Sequence, residues 1–171
     1  EAQVTFDGAP AEPLGAPGEG AALLERIHDR AAILLAFEAL GGADRCLEMA
    51  RDYALERYAF GRPIGGYQAI KHKLADMAVA NAWALSTDAA ELPVAAAAAR
   101  VAACNAYWLA SKENIQTHGG IGFTWEADCH LFYRRARHLG LAIGAARDWK
   151  RRLAARLEAR LAAEANQESA R

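Results

Sequence analysis

The chain of 171 residues has few of the groups that mark several protein classes. It holds three cysteines, Cys46, Cys104 and Cys129, far apart and with no CxxC pair. An odd, scattered set argues against a disulfide framework and a thiolate zinc site, and it favours a reducing, cytoplasmic setting. The five histidines show no HxxxH spacing, so no metal is expected. No apolar run approaches the roughly 20 residues of a membrane helix, so no membrane association is expected. Net charge is only −1, which gives no basic field for nucleic acid. The opening EAQVTFDGAP has neither a basic start nor a long apolar stretch, unlike a secretory signal. It also lacks an initiating Met, and this predicts a preceding portion of chain.

What is present is mostly helical pattern. Residues 1–20 differ from the rest: Val4 and Phe6 alternate with Thr5 and Asp7 before Asp-Gly, which reads as a short strand and turn. A Pro/Gly-rich loop, APAEPLGAPGEG, follows. A single strand cannot stand alone, which again points to missing sheet. From Ala21 to Phe60 a long helix is expected, with Leu24, Ile27, Ala31, Leu34 and Leu35 as its apolar stripe. Gly41 and Gly42 weaken it by about 1 kcal/mol each and let another backbone come close. FGRPIGG (60–66) ends it. A second helix is expected over about Tyr67–Ser86, with Ile70, Leu74 and Met77 inward. Ser86, Thr87 or Asp88 would begin a turn or cap the third helix, an Ala-rich one over about Leu92–Thr117. A fourth helical region should start near Trp125 and run to about Ala163, broken at Gly140 or Gly144, with Glu126 in its first turn. The tail QESAR (167–171) is expected to fray. The fold class expected is all-α: an antiparallel (up-down) four-helix bundle with a short N-terminal β-strand and loop remnant. Its parts are residues 1–20, a bundle over 21–165, and a tail over 166–171. No further strand is signalled.

Two segments could carry chemistry. In ERYAFGRPIGGYQAIKHKLADM (56–77), Arg57 and Phe60 are three apart, so helical spacing would make them neighbours. A guanidinium beside a ring suits a phosphate next to an aromatic base, and Gln68 could bond a base edge. The plainer reading is a helix end with a solvated Arg57 and a core Phe60. QTHGGIGF (116–123) is either a glycine C-cap or a loop whose bare N–H groups approach an anion. It is not GxGxxG after a strand, which excludes a Rossmann fingerprint.

Taken together, RYAFGRPIGGYQAIKHKLADM and, about 50 residues later, QTHGGIGFTWEADCHLFYRRA closely resemble the acyl-CoA dehydrogenase family of flavoproteins. The resemblance covers nearly the whole chain. It implies that VTFDGAPAEPLGAPGEG leaves a middle β-domain and that residues 21–165 form the C-terminal helical domain. It also implies a tetrameric assembly, FAD, an acyl-CoA substrate and an electron-transferring flavoprotein as acceptor. By resemblance Arg57 contacts the FAD pyrophosphate, Phe60 packs beside the cofactor and Gln68 lies near its adenine side. Gln116, Gly119 and Gly120 approach the adenosine and pyrophosphate of a neighbouring subunit's FAD.

The family reaction takes a proton from Cα with a glutamate base and transfers the β-hydrogen as hydride to flavin N5. Here both usual base positions lack an acid: one falls on Ile143, followed by Gly144 and Ala145, the other on Ala31. Asp29 and Glu38 are the nearby carboxylates, each also readable as a structural ion-pairing acid. Three explanations stand: one of these is the base, the chain is the non-catalytic partner of a heteromeric dehydrogenase, or the scaffold serves another flavin reaction such as an oxidase or monooxygenase. An isolated helical oligomerisation module is the non-enzymatic alternative. Trp108, Trp125 and Trp149 are read as core or interface rings, His118 as a helix-end residue with contact to a phosphate as its alternative, and Arg134, Arg135 and Arg137 as inter-helix or subunit ion-pairing groups, with a role near CoA phosphates as theirs.

Overall fold

A computed structural model describes residues 2–85 and 92–169. The order of elements is α1 (Gly20–Glu56), β1 (Tyr58–Ala59), β2 (Arg62–Pro63), a 3-10 turn (Ile64–Gly66), α2 (Gln68–Leu85), α3 (Leu92–His118), a second 3-10 turn (Gly119–Phe123), α4 (Cys129–Leu141) and α5 (Ala146–Ser169). The chain is mostly helical, with one two-stranded antiparallel sheet.

α1 and α3 lie side by side and parallel. Ala32 packs with Ala97, the ring of Tyr107 sits over Gly42, the Asn114 amide donates to the Met49 sulfur, and Tyr53 stacks on His118. Each pair is 65 residues apart, so the two helices keep one register along their contact. α4 runs back against α3, with Tyr133 against Trp108 and Leu139 against Arg100. α2 meets the last turns of α3 through the Lys73–Glu113 ion pair at 2.9 Å.

The inner face of α1 is built of small residues: Ala32, Ala36, Ala39, Ala43, Cys46, Ala50 and Ala54 are buried. Three- and four-residue spacing puts them on one stripe, and small side chains let helix axes approach toward the short end of the usual 8–10 Å. This corrects the expected stripe. Leu24, Ile27 and Leu34 are exposed, as is Phe37. Larger side chains in the core come from the other helices, namely Met77, Tyr107, Leu139 and Trp149. On α2 the expected inward set holds, with Met77 buried and Ile70 and Leu74 partly so.

Other expectations also change. No strand forms at Val4–Asp7, and Val4 and Phe6 face solvent. α1 continues unbroken through Gly41 and Gly42 and ends at Glu56, short of Phe60. What approaches Gly42 is a ring rather than a backbone: a Cβ there would meet Tyr107 Cζ at 2.4 Å. The unforeseen β1–β2 hairpin turns on Phe60 and Gly61, both with positive φ (51° and 80°), the pairing that a two-residue hairpin turn demands. Its signal was the Phe-Gly pair, obscured because a ring rarely takes the first such position. The Ser86–Asp88 turn lies outside the described residues. α4 begins at Cys129, so Glu126 is not in its first turn, and the break before α5 falls at 142–145 with Gly144 at φ 103° rather than at Gly140. α5 extends to Ser169, beyond the expected end near Ala163.

Candidate functional site

Because α1 and α3 are parallel, their C-termini and the start of α2 come to one end of the molecule. That end carries all six residues singled out in 56–77 and 116–123. Arg57 caps α1, its N–H donating to the Tyr53 carbonyl at 2.9 Å, and its side chain is exposed. Phe60 projects from the hairpin tip with 97% of its surface free. A bulky residue at positive φ is strained by about 1 kcal/mol or more. The hairpin base is firm nonetheless. Ile64 N–H donates to the Arg57 carbonyl at 2.7 Å, the Tyr67 hydroxyl to the Ala59 carbonyl at 2.8 Å, and Arg62 lies 3.9 Å over the Tyr67 ring. Gly65 is needed because a Cβ would press to 3.0 Å from the Ala54 carbonyl oxygen. Gln68 opens α2, exposed beside this hairpin.

The second half of this end is the 3-10 turn. Gln116 lies exposed on the last turn of α3, and Gly119 and Gly120 follow. The three glycines differ in their reasons. Gly122 is packed, since a Cβ would lie 2.9 Å from the Ile115 carbonyl oxygen, and Gly119 has φ 63°. Gly120 has neither a positive φ nor any neighbour within 4 Å of a Cβ. Nothing inside this chain requires Gly120 to be glycine, and bare backbone there leaves room for a group from outside.

His118 ties the halves together. Its Nδ1–H donates to the Asn114 carbonyl at 3.0 Å, and its ring stacks on Tyr53 with centroids 4.2 Å apart. Reading His118 as a helix-end residue missed this stack; the shared 65-residue offset was its hidden signal. Trp125, Phe123 and Tyr58 are exposed around the same end, so it presents rings, Arg57 and open backbone together.

The positions considered for a base lie elsewhere. Ala31 is on the first half of α1, and 26 residues of helix separate it from Arg57, about 40 Å at 1.5 Å per residue. Ile143 follows α4 at φ 54° and packs on the cluster of Ala32, Ala96, Ala97, Val101 and Trp149. Its carbonyl accepts from the Trp149 indole N–H at 3.1 Å. Arg100, 1% exposed, donates to the Leu139 and Ala142 carbonyls and to the Cys104 sulfur. It thereby caps the end of α4 from within. Asp29 is buried and paired with Arg156 at 2.9 Å, while Arg156 also donates to the Pro93 carbonyl. Glu38 pairs with Arg135 at 2.6 Å, beside a cavity of about 520 Å³ that Gly41, Gly42, Tyr107 and Phe132 also line. Burial pushes the Cys46 thiol and the Tyr107 hydroxyl each up to about 12, so neither supplies an anion at neutral pH. Among the described residues no metal-ligand cluster is present.

Of the tryptophans, Trp149 is wholly buried, Trp108 is partly exposed and Trp125 is mostly exposed. Arg135 makes an inter-helix ion pair as expected, whereas Arg137 leans toward the Trp108 ring at 6.0 Å.

Residues 18–158 match the family described as acyl-CoA dehydrogenase, C-terminal domain. The chain is 48% identical over 131 residues to acyl-CoA dehydrogenase IpdE2 of Mycobacterium tuberculosis, covering 74% of this chain and 41% of that protein. It is 39% identical over 133 residues to human mitochondrial short-chain specific acyl-CoA dehydrogenase, covering 72% and 32%. Among solved structures, butyryl-CoA dehydrogenase from Megasphaera elsdenii superposes with a TM-score of 0.79 at 26% identity, covering 84% of this chain and 40% of that one. The chain thus spans about two fifths or less of the length of these relatives. The helical fold, the hairpin and glycine turn at one end, and this match over most of the sequence agree: the chain belongs to the acyl-CoA dehydrogenase family, matching its C-terminal domain.

Proposed function

We propose that this chain is the oligomerising, FAD-completing domain of a flavin-dependent acyl-CoA dehydrogenase, folded as an antiparallel four-helix bundle over residues 21–165. Residues 1–20 are the exit from a preceding β-domain. The observation that carries this reading is the distance of about 40 Å along α1 between the Ala31 level and Arg57. One copy cannot present both levels to one reacting centre. Residues at the hairpin end therefore serve a cofactor that reacts beside another copy, in an assembly taken as a tetramer.

The donor set fits FAD. Arg57 offers a bidentate cation for the pyrophosphate, the free Phe60 ring packs on the cofactor, and Gln68 bonds the adenine side. Gln116 and the open backbone of Gly119 and Gly120 approach the adenosine and pyrophosphate without side-chain obstruction. Bound FAD would supply the hydride acceptor for α,β-dehydrogenation of an acyl-CoA thioester, the electrons leaving to an electron-transferring flavoprotein. What this chain's residues do is hold, orient and shield that group.

The same residues favour a second reading, that the chain is the non-catalytic partner in a heteromeric dehydrogenase. Ile143 packs against a core cluster, and Asp29 and Glu38 are engaged by arginines. The test is flavin bleaching by acyl-CoA in anaerobic stopped flow, with the full chain alone and with a partner subunit. Bleaching only with the partner supports the second reading, and full turnover by the homomer removes it. A purified assembly without flavin absorbance, which gains none when FAD is added, would overturn both and leave a helical oligomerisation module.

A further inference from the structure

We infer that Tyr53 and His118 form a positioning pair for the flavin cofactor: their stacked rings fix the spacing between Arg57 on one side and Gln116, Gly119 and Gly120 on the other. This rests on the reading of the hairpin end as an FAD site, which assigns neither ring a part.

The two halves of that end have no direct bond between them. Arg57 leads from α1 into the hairpin, and His118 leads from α3 into the glycine turn. Among the described residues, no hydrogen bond or ion pair joins 57–68 to 116–123. Other links to α3 sit about a turn further back: the Asn114 amide on the Met49 sulfur, and Lys73 on Glu113. The ring stack lies nearer the end. Its centroids are 4.2 Å apart and its planes 25° from parallel. Each ring is tied to one half. The Tyr53 carbonyl accepts the Arg57 N–H at 2.9 Å, so this ring stands one turn before Arg57. His118 stands between Gln116 and Gly119, with its Nδ1–H held on the Asn114 carbonyl at 3.0 Å. Gly122 closes the turn back onto it, since a Cβ there would come 3.1 Å from the His118 Cβ. A guanidinium and open backbone N–H groups must meet one pyrophosphate together, and hydrogen bonds weaken steeply as distance and angle drift. Two helix ends held by a pair of flat rings resist that drift. Stacked rings contribute enough beyond their buried area to shift an equilibrium by about two- to tenfold.

The experiment uses the full chain in its native oligomer, diluted serially until free-flavin fluorescence appears, which gives the FAD dissociation constant. His118→Ala and Tyr53→Ala should each raise that constant by about fivefold. The double substitution should lie within about twofold of the weaker single, because both changes remove one contact. His118→Phe keeps a ring in the stack and should stay within about twofold of wild type. His118→Leu keeps bulk without a flat ring; it should match His118→Ala, and it replaces that variant if alanine prevents folding. Val101→Ala lies about 25 Å back along α3. It should lower the thermal midpoint and leave the constant unchanged, which separates positioning from general loosening. An unchanged constant in the single variants would overturn the pairing, as would additive losses in the double. His118→Phe as weak as His118→Ala would overturn it too and make the imidazole nitrogen itself the cofactor contact. A wild-type oligomer that holds no FAD would instead remove the reading of the site on which the pairing rests.

Discussion

The two ends of this molecule are built on opposite principles. At the end formed by the last turns of α1 and α3, polar and aromatic side chains point outward, glycine backbone lies open, and Phe60 stands free on a strained turn. At the far end, Arg100, Trp149 and Asp29 are buried and bonded inward, Asp29 to the half-buried Arg156. The first end spends conformational stability on presentation, and the second uses polar groups only to close itself. Ile143 packs at the closed end, against the cluster of Ala32, Ala97 and Trp149.

Substitutions should separate the two ends. The largest effect is expected from Trp149→Ala, which empties a fully buried site and should cost about 3–5 kcal/mol, read as a lower midpoint in denaturant with little change in flavin content of the folded fraction. Arg156→Ala strands the buried Asp29 carboxylate and should cost about 3 kcal/mol; adding Asp29→Asn should recover part of it in a thermal melt. An unrecovered loss would assign the effect to packing of the Arg156 stem instead. Ile143→Glu places a carboxylate against the Ala32–Trp149 cluster and should lower stability by roughly 2 kcal/mol without restoring turnover. Turnover gained by this change would show that the closed end still opens onto substrate. Gly120→Ala should shift stability by less than about 0.5 kcal/mol, since its Cβ meets nothing, yet lower the flavin-to-protein absorbance ratio. Phe60→Gly acts in the opposite direction: it relieves the positive φ and should gain up to about 1 kcal/mol while weakening FAD retention. If retention is unchanged, the exposed ring has no role at the cofactor.

Much of this was legible in the sequence, for identifiable reasons. The helices Gln68–Leu85 and Leu92–His118 fall within a residue or two of their expected spans, because proline, glycine and apolar period mark their ends. The inward face of α1 was not legible. Periodicity weighted toward leucine pointed to Leu24, Ile27 and Leu34, whereas an alanine stripe three and four residues apart carries little hydrophobic signal and wins by close approach. The isolated strand failed at Val4–Asp7 because a strand needs a ladder partner, and none lies among the described residues. At the site, the segments were recognisable from residue types, but the Tyr53–His118 stack and the Arg100 cap join residues 65 and about 40 positions apart. No local pattern encodes such pairs.

The constant 65-residue offset between α1 and α3 makes their contact intolerant of slippage. Deleting one residue of α1, Gly41 for instance, would rotate everything beyond it by about 100° and draw it back by about 1.5 Å. Ala43, Cys46 and Ala50 would leave the seam together, and Tyr53 would leave His118. Chain length between residues 32 and 53 is thus under tighter constraint than residue identity. A lineage could exchange its alanines for serine or glycine one at a time, but a single-codon deletion there would part the hairpin end from the closed end, seen as loss of the cooperative thermal transition.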